Sequence, residues 1–353
     1  MRDSPILLEK IRSNKATWED YQAFLDLEEK KLNKYLQLAQ NLKEQTFGHK
    51  LKIYIPNKAF PAISITGTDC ELHCEHCNKK YLKGMIDGAN EQKLEDTLLK
   101  IHRKGGNGAL ISGGCLSDGS VPLLAFLDVI KRVKERTDLI INVHTGLLNE
   151  ETAKKLAEAH VDIVSFDVNM DEEIIHNIYH LDKSLASYEK AVEILERHKL
   201  NIIPHLCIGL HYGVLHKELE SLKFIQKAIK NPSLIVLIAL IPPQNTNISF
   251  ETPKPLDIAK VAALTRFLFP STEISLGCMR PRGKIKTDIE KAAIKAGVTR
   301  MEIPSPKTLK WLQNQDSKAR FEFYSACCAI PSQYESLAKS KDSDIKRYLK
   351  ILK

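Results

Sequence analysis

The sequence predicts an α/β protein whose parallel strands form a (β/α)8 barrel. From about residue 52, short β-rich apolar runs alternate with amphipathic stretches of helix length, giving eight units in a row. A doubly wound open sheet is the alternative. No G-x-G-x-x-G follows the first strand and no G-x4-G-K-[ST] occurs, which removes the commonest reasons for choosing it.

The elements follow from hydrophobic periodicity. The predicted strands are Ala62–Thr66, Ala109–Ser112, Leu139–His144, Asp162–Asp167, Ile202–Cys207, Leu234–Leu240, Glu273–Leu276 and Arg300–Ile303. The helices between and after them are expected at about 91–104, 120–136, 150–159, 184–198, 215–229, 255–268, 287–296 and 305–315.

Three regions are expected along the chain. Residues 1–51 form an N-terminal helical extension, in which Thr17 caps a long charged helix that begins at Trp18. Residues 52–315 form the barrel. Residues 316–353 form a C-terminal tail that contributes two cysteines and ends in a basic helix.

Composition excludes several classes of protein. The longest apolar run, "SLIVLIALIPP", is about half of the roughly 20 residues that cross a membrane, and the N-terminus lacks a signal-peptide apolar region, so a cytoplasmic location is expected. The net charge is +8, and the basic residues that cause it are interleaved with acidic residues along the chain. The sequence contains no RNP-like strand, zinc finger or concentrated basic stripe. We therefore expect no membrane and no nucleic-acid partner, whereas an acidic protein partner fits the charge.

Side chains able to do chemistry follow the predicted strands. In a barrel these strand ends share one mouth, where catalytic groups gather. The segments are the cysteine loop 70–77, "SGGC" at Ser112–Cys115, "HTG" at His144–Gly146, "DVNMD" at Asp167–Asp171, "CIGLHYG" at Cys207–Gly213 and "GCMRPRG" at Gly277–Gly283.

The stretch "CELHCEHC" sets Cys70, Cys74 and Cys77 in a C-x3-C-x2-C pattern. With His73 or His76 as fourth ligand, these thiolates would make a closed zinc site, but each histidine is adjacent to a cysteine, which strains simultaneous ligation. The alternative is a [4Fe–4S] cluster held by three thiolates, which leaves one iron open to a small molecule. Eight cysteines without a secretory signal favour reduced, metal-binding thiols over disulfides.

This pattern, directly after the first predicted strand, resembles the radical S-adenosylmethionine (SAM) enzymes over about residues 52–303. The resemblance implies that the open iron chelates SAM, and that an electron from a ferredoxin or reductase produces a 5′-deoxyadenosyl radical. It implies that Gly113 and Gly114 approach the SAM amino group. Asn169 in "FDVNMD" is similar to the biotin synthase position in "YNHNLD" that contacts SAM and substrate. A strand-end asparagine that caps a helix is the alternative interpretation.

Other cysteines predict a second [4Fe–4S] cluster. Cys115 and Cys207 have nearly the spacing of two auxiliary-cluster cysteines in biotin synthases, but "NVHTG" lacks the third. The expected ligands are Cys115 and Cys278 with Cys327, Cys328 or both. Cys207 is a weaker candidate, and incidental buried thiols are the alternative.

Two arginines are predicted to face the same mouth. Arg280 and Arg282, on either side of a proline, are expected to hold the SAM carboxylate or ribose, or to neutralise cluster charge, unless they form ordinary salt bridges.

Within the family, "SGGC", "IGLHYG", "LGCMRPRG" and the late "CC" resemble the biotin-synthase-like group, which includes two-component lipoyl synthases found largely in archaea. The resemblance implies sulfur insertion into an octanoyl chain on an acidic protein domain, together with a second radical SAM partner. A radical SAM enzyme of other chemistry (biotin-synthase-like, a mutase or a cofactor maturase) and a non-enzymatic zinc protein remain the alternatives.

Overall fold

The fold is built on one curved parallel sheet, seen in a computed structural model that describes residues 5–244, 246 and 248–352. These residues form eleven strands in the order β11-β1-β10-β9-β8-β7-β6-β5-β4-β2-β3, with every neighbouring pair parallel. The strands are β1 Lys50–Tyr54, β2 Ala62–Ser64, β3 Ile86–Asp87, β4 Gly108–Ser112, β5 Ile140–His144, β6 Ile163–Asp167, β7 Ile202–Ile208, β8 Leu234–Ala239, β9 Glu273–Leu276, β10 Arg300–Glu302 and β11 Arg320–Tyr324.

Helices cover the outer face of the sheet. The α-helices of the described residues are α1 Pro5–Arg12, α2 Trp18–Leu25, α3 Glu29–Phe47, α4 Glu91–Arg103, α5 Leu127–Arg136, α6 Glu150–Glu158, α7 Leu185–Arg197, α8 Glu218–Ala228, α9 Pro255–Leu268, α10 Lys286–Lys295, α11 Pro306–Gln315 and α12 Asp342–Leu352. A single wide helical turn, Ile174–Ile178, follows β6.

The α/β class and the parallel strands with outer helices are confirmed, and the barrel is a partial one. Among the described residues, the edge strands β3 and β11 have one strand neighbour each, so the sheet stays open between them. All eight predicted strands occur, with bounds shifted by one or two residues at most. Strands β1, β3 and β11 were not predicted.

The N-terminal helices pack on the outer helices α9 and α10 rather than on the sheet itself. Thr17 caps α2 as predicted, because its hydroxyl accepts from the Asp20 amide and the Asp20 carboxylate accepts from the Thr17 amide. The single long helix was wrong, since α2 ends at Leu25 and α3 begins at Glu29. The Phe24 ring meets Phe267 of α9 at 5.4 Å between centroids, which buries that apolar helix. Residues 1–4 of the predicted extension lie outside the described residues.

The C-terminal tail is part of the sheet. Strand β11 pairs in parallel with β1, and β1 also pairs with β10, so the two ends of the chain lie side by side. The buried Arg300 guanidinium pairs with Glu273 and with Glu335 from the tail. Helix α12 confirms the predicted terminal helix, and Lys353 lies outside the described residues. No described helix is both long and apolar enough to cross a membrane.

Candidate active site

A cavity of about 720 Å³ opens at the carboxyl ends of the central strands. Parallel strands bring their carboxyl ends to one edge, so residues far apart in sequence meet there. Six predicted site residues line this cavity: Asn169, Cys207, Cys278, Arg282, Cys327 and Cys328.

The first group of thiols lies on the loop that follows β2. Cys70, Cys74 and Cys77 are free and partly exposed. The Cys77 amide donates to the Cys74 carbonyl at 3.2 Å, and the Cys74 thiol lies 3.6 Å from the carbonyl oxygen of Tyr179. Asn78 adopts a left-handed backbone (φ 44°) that turns the chain away. A tight turn therefore presents all three sulfurs from one short segment.

The electrostatics of this loop suit a bound cation or cluster. Burial raises the pKa of Cys74 to about 12, and the neighbouring thiols of Cys77, Cys115 and Cys70 add to the rise. Burial also raises the pKa of Cys77. Thiols so close together lose their protons readily only when positive charge binds them, because the thiolates repel one another.

The sulfur spacing discriminates between a zinc ion and a larger group. Tetrahedral zinc, with Zn–S bonds near 2.3 Å, holds its thiolates roughly 3.8 Å apart. In the described part of the chain, two groups of three ligand side chains have donor atoms within 4.8 Å of one another, and neither contains Cys70, Cys74 or Cys77. The three sulfurs are therefore spread more widely than a single tetrahedral zinc ion would hold them.

The neighbouring histidines do not complete a zinc site either. The side chain of His73 is exposed, and burial lowers the pKa of His76 to about 4, which keeps its ring neutral. The His76 ring packs against Tyr179 at 5.3 Å between centroids. His76 and Tyr179 both line the cavity, and Tyr179 was missed because it lies in an ordinary-looking helical turn.

The glycine pair after β4 lets the backbone approach the cysteine loop closely. A Cβ on Gly114 would lie 2.0 Å from the Asp69 carbonyl oxygen and 2.5 Å from Cβ of Cys70. The Gly114 amide donates to Thr66, and the next amide, of Cys115, donates to the Cys70 sulfur at 3.3 Å. The structure thus requires glycine at position 114 for packing against this loop, and the SAM contact of Gly113 and Gly114 stays a prediction.

Cys115 lies with the first group of thiols rather than with the second. Burial raises the pKa of Cys115 to about 12, and Cys70 is the neighbour that raises it most. The Glu71 amide donates to the Cys115 carbonyl at 2.8 Å, which fixes Cys115 beside the cysteine loop. The grouping of Cys115 with Cys278 was therefore wrong, because "SGGC" packs back onto the loop after β2.

The second group of thiols comes from the ends of β9 and β11. Cys278 is exposed and lines the cavity, and desolvation there together with the nearby Cys328 raises the pKa of its thiol. Cys327 lies next to Cys328 in sequence, and its sulfur is 4.0 Å from the Asn142 amide nitrogen. The structure thus places Cys278, Cys327, Cys328 and Cys207 around one cavity, and their role as ligands of a second cluster stays a prediction.

Tyr81 lies between the two groups of thiols. Burial raises the pKa of Tyr81 to about 12. Cys77 of the first group and Cys207 and Cys278 of the cavity wall raise this pKa further. Its position was not predicted, because "NKKYLKG" reads as a polar loop.

Arg280 does not face the cavity, which corrects the sequence prediction. Its guanidinium is 2% exposed and pairs with Glu290 at 2.8 Å and Glu302 at 3.6 Å. It also donates to the carbonyl oxygens of Gly277 and Glu302. Arg282, two residues on, is exposed and lines the cavity, so one of the two arginines is available to an anion.

Replacing Arg280 by alanine is expected to lower the free energy of unfolding by about 3–5 kcal/mol, because the buried Glu290 would lose its nearest cation and keep only the more distant Lys286, at 3.7 Å. Urea denaturation measures this change. Arg282→Ala is the matched control and should stay within about 0.5 kcal/mol of the parent. If the Arg280 variant kept its stability but bound SAM more weakly, the prediction that Arg280 contacts SAM would be supported instead.

Two histidines and an unpaired amide form the floor of the cavity. The rings of His144 and His205 lie 5.3 Å apart, and burial lowers the pKa of both, that of His205 to about 4. Nδ2 of Asn169 is buried without a hydrogen-bond partner in the described structure. An unpaired buried amide is costly, so Asn169 is suited to bind a polar ligand here.

Comparison with known proteins agrees with this arrangement. Residues 64–228 match the model of the radical SAM superfamily. A biotin synthase of Bacillus cytotoxicus is 26% identical over 282 residues, covering 77% of this chain and 80% of that protein. A biotin synthase of Bacillus thuringiensis is 26% identical over 268 residues, covering 73% and 76%.

Two solved structures share the fold. The [FeFe]-hydrogenase maturase HydG has a TM-score of 0.68 at 16% identity, covering 95% of this chain and 77% of that one. Methylornithine synthase PylB has a TM-score of 0.59 at 18% identity, covering 98% and 95%.

The partial barrel and the three thiols after β2 agree with the match of residues 64–228 to the radical SAM superfamily model. The chain is also similar to biotin synthases at low sequence identity. The superfamily implies a [4Fe–4S] cluster and SAM, and Cys70, Cys74 and Cys77 fit such a cluster in number and softness.

Proposed function

We propose that this protein is a radical SAM sulfurtransferase that inserts sulfur into an unactivated C–H bond, on an octanoyl chain during lipoyl synthesis. The observation that carries the proposal is the presence of two separate thiol groups at the same cavity edge. Cys278, Cys327 and Cys328 line the cavity, and Cys70, Cys74 and Cys77 belong to the loop whose His76 also lines it. The similarity to biotin synthases supports the same class of reaction.

Different residues of the chain would bind the first cluster, SAM and the second cluster. Cys70, Cys74 and Cys77 would hold the SAM-binding cluster, with Asn169 and Arg282 as polar contacts for SAM. When bound, this cluster and SAM would supply the radical chemistry that removes hydrogen from carbon, and a second cluster would supply the sulfide for the new C–S bond, with its iron accepting the remaining electron. Cys278, Cys327 and Cys328 would hold that second [4Fe–4S] cluster, with Cys207 close by.

The cavity wall supports an aliphatic substrate. Apart from its polar floor, it is lined mostly by apolar side chains: Met85, Leu206, Leu210, Val236, Ile238, Leu240 and Ile241. Such a wall excludes water from a reactive centre and gains free energy from burying methylene groups, about 0.8 kcal/mol each. An acyl chain fits this wall better than a charged substrate does.

Delivery of that chain requires a partner. We propose an acidic protein domain that carries the octanoyl or thiooctanoyl group on a lysine, consistent with the net charge of +8. A second radical SAM protein completes the second sulfur insertion, and a ferredoxin or reductase provides electrons.

Incubation of the reduced, cluster-loaded protein with SAM and an octanoyl-lysine peptide tests the proposal. Mass spectrometry should show the gain of one sulfur per peptide, and the protein should contain about eight irons and eight sulfides. About four irons, with SAM cleavage and no thiolated product, would instead favour radical SAM chemistry of another kind. Zinc without sulfide would overturn both.

A further inference from the structure

Outside the cysteines, a compact group of metal-binding side chains lies at the rim of the cavity. Asp171, from the segment after β6, and His211 and His216, from the loop after β7, have donor atoms within 4.8 Å of one another. Nδ1 of His216 lies 2.6 Å from the Asp171 carboxylate. A second carboxylate, Glu173, lies 3.0 Å from Nε2 of His211.

The loop after β7 is folded so that the two imidazoles meet. Their rings stack with centroids 4.1 Å apart and an interplanar angle of 23°. Gly213 makes the turn between them with φ +96°, and a Cβ there would lie 2.2 Å from the Glu251 carbonyl oxygen. The buried Glu218 carboxylate accepts from the amides of Gly209 and His216, which fixes both ends of the loop.

One polar atom of this group is left without a partner. Nδ1 of His211 is buried and has no hydrogen-bond partner in the described structure. Leaving a buried ring nitrogen unpaired is unfavourable by roughly 1–3 kcal/mol, so a ligand at this place would be stabilising. Asp171 is 3% exposed, and its carboxylate meets the Glu173 amide and the His216 imidazole, so a cation bound here would add positive charge beside a buried carboxylate.

We propose that Asp171, His211 and His216 bind one divalent transition-metal ion of the zinc class, with Glu173 orienting His211. Two imidazoles and a carboxylate are a recurrent donor set for such ions, and a neighbouring carboxylate commonly orients a ligating imidazole. The ion is separate from the iron held by the thiolates. It ties the loop after β7 to the segment after β6 at the entrance of the cavity.

Zinc loading of the anaerobically purified, cluster-containing protein tests the site. After removal of unbound ions, elemental analysis should find about one zinc per chain, with the iron content unchanged. The double variant His211→Gln/His216→Gln should lose this zinc and keep its iron. His102→Ala, which removes an exposed histidine on α4, is the matched control and should retain the zinc.

Two further measurements make the result specific. X-ray absorption at the zinc edge should show nitrogen and oxygen neighbours, whereas sulfur neighbours would place the ion on the cysteines and overturn the proposal. Glu173→Gln should weaken zinc binding about 10–100-fold in a chelator competition. Absence of zinc from the wild-type protein, or equal zinc in the double variant, would also overturn the site.

Discussion

Replacing Cys74 by alanine is expected to abolish SAM cleavage and to remove about four irons from the protein. Cys74 is the middle thiol of the loop after β2, and Cys77, Cys115 and Cys70 are near enough to raise its pKa. With two thiolates left on this loop, the cluster loses a ligand that no neighbouring side chain of the loop replaces. The measurement is 5′-deoxyadenosine formation by the reduced protein, together with iron and sulfide analysis.

His73→Ala is the matched control for the Cys74 variant. His73 precedes Cys74 directly, but its side chain is exposed. This variant should cleave SAM at the parent rate. Loss of metal from both variants would favour the closed zinc site, and full SAM cleavage by Cys74→Ala would contradict the assignment of the cluster.

Replacing Cys278 by alanine is expected to stop sulfur transfer while 5′-deoxyadenosine formation continues. The Cys278 thiol lies beside Cys328 and away from the loop that carries Cys70, Cys74 and Cys77, so the two groups of thiols are separable. The expected result is loss of about four of eight irons and no thiolated octanoyl peptide in the mass spectrum. Continued thiolation by this variant would contradict the second cluster.

Cys115→Ala separates the two assignments of that residue. Because Cys115 packs against Cys70, we expect the variant to keep the irons associated with Cys278 and to keep sulfur transfer whenever SAM is cleaved. A variant that lost only sulfur transfer would behave like Cys278→Ala and would place Cys115 with the second group after all.

The predictable part of the fold was the part with a simple hydrophobic pattern. Strand β8, "LIVLIA", is a continuous apolar run, as is usual for parallel strands buried on both faces. Strands β1, "KLKIY", and β11, "RFEFY", alternate charged and apolar residues, and they pair across about 270 positions. Nothing local in either stretch indicates that partner.

In the site, too, the features with a local sequence pattern were predicted and those that depend on distant residues were not. The three cysteines of the first loop are close in sequence, so their spacing revealed their chemistry. The burial of Arg280 depends on Glu290 and Glu302, which belong to other elements, so "RPR" alone suggested two free guanidinium groups. The contact between Asp171 and His216 joins two different loops and has no local signature.

The place of β11 at the sheet edge has a consequence for biogenesis. The loop that carries Cys70, Cys74 and Cys77 is synthesised early, together with the strand before it. Cys327 follows Cys77 by 250 residues, so Cys327 and Cys328 are synthesised much later. At usual rates of synthesis this delay is roughly 10–50 s. A chain truncated before β11 would carry the radical-forming cysteines without the second group of thiols, so the order of synthesis itself separates the two halves of the proposed chemistry.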